Sequence, residues 1–164
     1  MTTPIKAIAL VAIAALSFSA CKKKDDSPEP EEEQPTTTTK SASFKVNGTA
    51  YSVTNPYLGI FDNSGTINNS LTLTATDGSK IQFNFTGTSP ATYQLQSFSN
   101  GYYKNAAGKQ YNSVRGQLVV SSYTSSSSTV EKKMSGSFSF WAKAIVFPYD
   151  SLQITDGVIT NASN

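Results

Sequence analysis

The chain has 164 residues, no histidine, one cysteine and a net charge of +2. That length suits one domain with appendages. The missing histidine and lone cysteine exclude His-dependent triads, Cys–His dyads, Cys-rich zinc sites and disulfides, and the small net charge argues against a nucleic-acid partner.

Met1–Cys21 reads as an export signal. Lys6 supplies the positive start, Ala7–Phe18 is apolar but for Ser17, and Ser19-Ala20 are small residues before a cleavage point. A helix over that apolar stretch would be roughly 18 Å long, too short for a bilayer core of about 30 Å. The run Phe18-Ser19-Ala20-Cys21 resembles a bacterial lipobox, with Phe where Leu is usual. The resemblance implies that Cys21 is acylated and becomes the mature N-terminus, anchoring the protein to a membrane. Lys22-Lys23-Lys24-Asp25-Asp26 is similar to the signal that follows the lipid-bearing Cys in surface-exposed lipoproteins of Bacteroidetes. That likeness implies an outer-membrane location, on the cell surface rather than the periplasmic face. Ser27–Lys40 is rich in Pro, Glu and Thr and lacks large apolar residues, so it is expected to be a disordered tether.

From Ser41 onward the dominant period is two. Phe44, Val46, Tyr51 and Val53 share one face of a hairpin whose loop, Asn47-Gly48, suits a type I′ turn. That loop pairs Phe44 with Tyr51 and Val46 with Thr49. Ser70–Thr76 and Lys80–Thr86 form a second hairpin. A three-residue loop, Thr76-Asp77-Gly78, opposes Leu73 to Ile81 and Leu71 to Phe83 and puts Gly78 at the left-handed position. Further strands are expected at Ala91–Gln96, Gly116–Tyr123, Met134–Val146 and Ser151–Thr160. Tyr57–Phe61 and the Tyr102/Tyr111 region are weaker candidates. Thr124–Thr129 is a polar hairpin tip, and Pro148 and Asp156-Gly157 punctuate the last two strands. The expected fold is all-β: a single antiparallel β-sandwich or flattened barrel of about 8–10 strands over residues 41–164. A signal peptide (1–20) and a linker (21–40) precede it.

In Ser137–Val146 the residues Phe138, Phe140, Ala142, Ala144 and Val146 share a face, which leaves the only tryptophan, Trp141, on the polar side. In a sandwich that side is solvent; in a barrel with a lined lumen either face could be the cavity.

The domain's five carboxylates are Asp62, Asp77, Glu131, Asp150 and Asp156. Asp62, Asp77 and Asp156 sit in turn-like sequences, and Glu131 lies beside a loop tip. No Gly-x-Ser-x-Gly elbow or Ser-x-x-Lys pair occurs in the domain, so no serine there has an activating neighbour. Catalysis, a metal and a cofactor are not expected. Tyr102, Tyr103, Tyr111, Tyr123 and Trp141 lie among Asn, Gln, Ser and Thr, and flat amphipathic rings beside amides suit stacking on sugars or peptides. These five are the candidate ligand-binding residues. Asp150-Ser151-Leu152 resembles an O-glycosylation site of exported Bacteroidetes proteins, and a turn leading into a strand accounts for it equally.

The order of motifs resembles a family of Bacteroidetes lipoprotein domains of unknown function, DUF6252. The matching pieces are Phe44-Lys45-Val46-Asn47-Gly48, Ala91-Thr92-Tyr93-Gln94-Leu95, Ser135-Gly136-Ser137-Phe138-Ser139-Phe140 and Ile154-Thr155-Asp156-Gly157-Val158. The likeness spans about Ser41–Thr160 and carries no catalytic residues. The expected role is a non-catalytic module displayed on the outer membrane, binding a glycan, a peptide or a small ligand. The alternative is an accessory protein whose β surface docks another envelope protein.

Overall fold

The computed structural model describes residues 39–97, 99–125 and 131–164. The expected export signal, Cys21 and nearly all of the tether lie outside the described residues, as does most of the Thr124–Thr129 tip. The strands among the described residues are β1 (Ser41–Val46), β2 (Thr49–Val53), β3 (Tyr57–Asn63), β4 (Thr66–Thr74), β5 (Lys80–Thr86), β6 (Ala91–Gln94), β7 (Gly101–Lys104), β8 (Gln110–Ser125), β9 (Lys132–Ala144) and β10 (Ser151–Ser163).

They form one sheet, and it closes. β3 pairs with β4, β4 with β5, β5 with β7, β7 with β8, β8 with β9 and β9 with β10, all antiparallel. The ring closes where Ser163 of β10 pairs in parallel with Tyr57 of β3. The β1–β2 hairpin hangs on the edge of β10 before that closure, and β6 pairs with β8 beyond β7. Of the two architectures compatible with the sequence, the barrel is the one observed.

Both hairpin registers match the expectation. Phe44 opposes Tyr51 and Val46 opposes Thr49, across a turn in which Asn47 and Gly48 both have positive φ. Leu73 opposes Ile81 and Leu71 opposes Phe83, and the Gly78 amide donates to the Ala75 carbonyl. Asp77 accepts from both the amide and the hydroxyl of Ser79, so it shapes the turn.

The long strands need help to curl. β8 shifts register between Ser113 and Arg115 and again between Val120 and Ser122, and β10 shifts at Ile154/Gly157 and Ile159/Ala162. Each bulge adds local bend and twist, which closure requires. Two expectations are corrected here. Asp156-Gly157, expected as a turn, is a bulge inside a continuous β10; Asp156 has φ of 53° there. Strand β9 stops at Ala144, so Val146 does not share the buried face of Phe138–Ala144 and is 52% exposed. β6 is also shorter than expected, while β8 starts six residues earlier, at Gln110, and β10 runs on to Ser163.

The barrel interior is filled by side chains. Phe83 packs edge-on against Phe138 at 4.9 Å and against Phe140 at 5.7 Å, and Phe44 stacks on Tyr51 at 5.3 Å. Leu58, Leu71, Leu73, Ile81, Leu118 and Ile154 are fully buried around them. Trp141 therefore faces outward, and the lined lumen that would have made it a cavity residue is not the arrangement observed.

Candidate functional site

The outer faces of β3, β4 and β5 carry an unusual mixture for a solvated surface. Strand alternation turns Asn68, Ser70 and Thr72 of β4 and Gln82, Asn84 and Thr86 of β5 outward, opposite the buried Leu71, Leu73, Ile81 and Phe83. On β3 the outward residues are Tyr57, Gly59 and Phe61. A Cβ placed on Gly59 would lie 3.4 Å from the Tyr57 ring and 3.6 Å from the Phe61 ring, so both rings lean over the glycine from either side. Both remain more than half exposed.

Phe61 and the outward polar residues other than Thr72 line a groove with a volume of about 600 Å³, within the usual size range of small-molecule sites. Phe61 forms one wall, and Asn68, Ser70, Gln82, Asn84 and Thr86 supply amides and hydroxyls; Ser99 and Asn100 close the far side. That side exists because β5 loses its strand partner after Phe83: the Asn84 amide donates instead to the Asn100 carbonyl, and the Asn84 side chain donates to the Ser99 carbonyl. Tyr93 of β6 caps the seam, its ring 4.9 Å from Phe85 and its hydroxyl donating to the Thr86 carbonyl. The polar lining is partly cross-linked. The Gln82 amide donates to Asn84 Oδ1, and the Thr86 hydroxyl donates to Asn68 Oδ1. These bonds fix the side chains in place while leaving amide donors and acceptors unspent.

Among the described residues that line the groove there is no Asp, Glu, Lys or Arg. Its one titratable group, the Tyr93 phenol, is pushed above its ordinary value by burial and stays neutral. The site is polar without being charged.

The five aromatic residues singled out from the sequence do not converge. Tyr102 stands beside the groove, its hydroxyl donating to Gln82 Oε1 at 2.8 Å. Tyr123 is half-buried under the groove, donating to Asn69 Oδ1; the Asn69 amide in turn donates to the Gly87 carbonyl. Tyr103 and Tyr111 turn inward, 3% and 7% exposed, and pack against each other at 6.0 Å. Burial pushes the Tyr103 phenol up to about 12, the behaviour of a core residue. Both are withdrawn from any ligand surface. Trp141 lies elsewhere, over a shallow depression of about 210 Å³ with Arg115, Ser139 and Gln153. The Arg115 guanidinium sits 5.0 Å from its ring centroid, a cation–π contact that covers part of the face a ligand would use.

The sequence reading missed Phe61 and the outward row of β4 and β5. A signal was present. Outward strand positions usually carry Lys, Glu or Asp for solubility, and Asn68, Ser70 and Thr72 on β4 and Gln82, Asn84 and Thr86 on β5 carry none.

The carboxylates serve structure. Asp62 Oδ1 accepts from the Gly65 amide, Glu131 pairs with Lys133 at 3.5 Å, and Asp156 pairs with Lys45 at 2.9 Å. Asp150 pairs with Lys109 and accepts from the Tyr111 hydroxyl. The hydrogen bond from Lys109 holds the Asp150 carboxyl below its ordinary value.

The model of a family described as a domain of unknown function, DUF6252, matches residues 61–163. The chain belongs to this family. The matched segment takes in the last three residues of β3 and runs to the last residue of β10, so it contains β4 to β10 whole; the β1–β2 hairpin lies outside it. No curated protein and no solved structure matches the chain.

Proposed function

We propose that this DUF6252 protein is a non-catalytic binding module of the cell envelope that holds a neutral glycan segment in the β3–β5 groove. The observation that carries the reading is the groove's lining, in which aromatic rings stand beside amides and hydroxyls and no ionised group is present among the described residues. Saccharide rings offer apolar faces for stacking and hydroxyls for amide pairing, whereas an anionic or cationic ligand would find no counter-charge. Phe61 supplies the stacking wall, Asn68, Gln82 and Asn84 the polar contacts, and Tyr102 braces Gln82.

The test is calorimetric titration with panels of neutral and acidic oligosaccharides. A neutral one should bind, and Phe61→Ala should weaken it about tenfold, or about 1.4 kcal/mol, while Trp141→Ala changes little. Binding restricted to acidic sugars, or lost in Trp141→Ala and kept in Phe61→Ala, would sink the assignment.

The location belongs to the same reading. The lipobox-like run ending at Cys21 supports a lipid anchor, and more than one acyl chain gives stable attachment. Cys21→Ser is expected to move the protein from the membrane fraction to the soluble fraction. Retention of the variant in the membrane fraction would refute acylation as the anchor, and protease treatment of intact cells reports whether the barrel faces outward.

A further inference from the structure

The β9–β10 loop departs from what a soluble loop carries. Its first five residues are Ile145, Val146, Phe147, Pro148 and Tyr149, none of them charged, and Asp150 follows at its base. Phe147 is 83% exposed and Tyr149 63%, with Ile145 and Val146 about half exposed. The two rings meet edge to face at 6.3 Å, outside the core. Loops ordinarily present polar residues to water, and a contiguous apolar tip marks a surface that meets something.

The base of the loop is held firmly. Lys109 Nζ donates to the Pro148 carbonyl at 2.9 Å and pairs with Asp150. The Tyr111 hydroxyl donates to Asp150, the Ala144 amide to the Asp150 carbonyl, and the Ile145 amide to the Gln110 carbonyl. The tip is thus presented on a braced stem.

Basic residues surround it. Lys143 is exposed two residues before Ile145, and Lys104, also exposed, closes the neighbouring β7–β8 turn, its side chain lying along Gly108. Lys80 pairs across from Lys104. None of these three forms an ion pair among the described residues, whereas the two acids at this end, Asp77 and Asp150, are held by Ser79 and by Lys109. An apolar tip with aromatic rings inside an unpaired lysine collar is complementary to a bilayer with anionic headgroups: rings and aliphatic groups enter the interface while lysines stay at headgroup level. A convex tip also suits insertion rather than the seating of a ligand.

We propose that the Ile145–Tyr149 loop inserts into the interface of an anionic phospholipid bilayer, giving the barrel a membrane contact separate from Cys21. The chain enters the barrel at the other end of β10, where the Asn161 side chain donates to the Thr39 carbonyl. The 17 residues between Cys21 and Thr39 have a contour of about 55 Å, longer than the rise of about 43 Å along a 13-residue strand. The lipid on Cys21 and the loop can therefore reach one membrane surface. This contact is independent of the β3–β5 groove.

The experiment is flotation of the full chain carrying Cys21→Ser, without acyl chains, on phosphatidylcholine vesicles with and without phosphatidylglycerol. The parent is expected to float with the phosphatidylglycerol vesicles. Adding Phe147→Ser and Tyr149→Ser should lower the partition at least tenfold, since both chains share everything except the loop. Lys104→Gln with Lys143→Gln should weaken it several-fold and flatten its salt dependence. These two lysines are exposed, so that variant decides the matter alone if the loop variant loses its fold. Equal partition of parent and variants, or partition indifferent to phosphatidylglycerol, overturns the proposal.

Discussion

Gly116→Ala is expected to destabilise the protein by about 3 kcal/mol or more, and to lower its yield of folded material. Gly116 follows the first bulge of β8 and has φ of 140°, a conformation that L side chains rarely adopt. A Cβ there would lie 2.3 Å from the Ser139 carbonyl oxygen and 2.4 Å from the Phe140 Cα. Those are backbone atoms of the neighbouring strand, and they cannot step aside like the end of a flexible side chain. Phe140 is 2% exposed and wedged against Phe83, so moving it disturbs the core. The Gly116 carbonyl also accepts the Leu95 amide at 2.8 Å, which ties β6 to β8. Backbone strain of about 1–2 kcal/mol combines with overpacking of about 1–3 kcal/mol. Gly48→Ala is the control. Gly48 also has positive φ, at 86°, yet nothing lies within 4 Å of its Cβ position, so only the conformational part, about 1–2 kcal/mol, applies. Urea unfolding of the two variants separates the contributions. An equal loss in both would mean that the close approach of β8 and β9 at Gly116 is not made.

The hairpins were legible because local information determines them. Alternation chooses the buried face, and a glycine of positive φ chooses the loop, so Phe44/Tyr51 and Leu73/Ile81 follow from a few adjacent residues. Closure into a ring was not legible, because it depends on Ser163 of β10 meeting Tyr57 of β3, strands far apart in the chain. The bulges hide strands in a more specific way. In β8 the buried residues are Tyr111 and Ser113, then Leu118 and Val120. The bulge at Val114 shifts the phase of the alternation from odd to even, and a strict period-two reading recovers only the later half. β10 does the same, from Leu152 and Ile154 to Ile159 and then Ala162.

The candidate site suffered from a related problem. Residue type alone favours tyrosines and tryptophan, but the phase of each strand decides which rings face water. Tyr102 and Tyr103 are neighbours in sequence, and the pleat sends one to the groove and the other to the core. Tyr57–Phe61 is only a weaker strand candidate in the sequence, and nothing local shows that Gly59 lets the Tyr57 and Phe61 rings close over the backbone.

Phe83→Ala is expected to be the most damaging of the side-chain truncations, at about 3–5 kcal/mol. Phe83 is fully buried and reaches across the barrel from β5 to Phe138 and Phe140 on β9. It also fills the space beside Gly101, where a Cβ would stand 3.2 Å from its ring. Its neighbours belong to separate strands locked in one ring, so they cannot collapse into the cavity, and the cost stays near the upper part of the range. For a domain of this size the thermal midpoint should fall by roughly 12 °C or more. Phe147→Ala removes the same ring from an 83% exposed loop and should change stability by less than about 0.5 kcal/mol. Calorimetry of both tests the barrel directly: a loss below about 1 kcal/mol in Phe83→Ala, or a loss in Phe147→Ala matching it, would contradict a filled interior. The same substitution reaches the groove. Gln82 and Asn84 flank Phe83 on β5 and face outward because Phe83 faces in, so loosening that anchor frees the polar floor to move. Oligosaccharide affinity in Phe83→Ala should therefore fall even at temperatures where the variant remains folded, whereas Leu152→Ala, at the start of β10 and paired with Ala142 of β9, should lower stability and leave the groove's affinity near that of the parent.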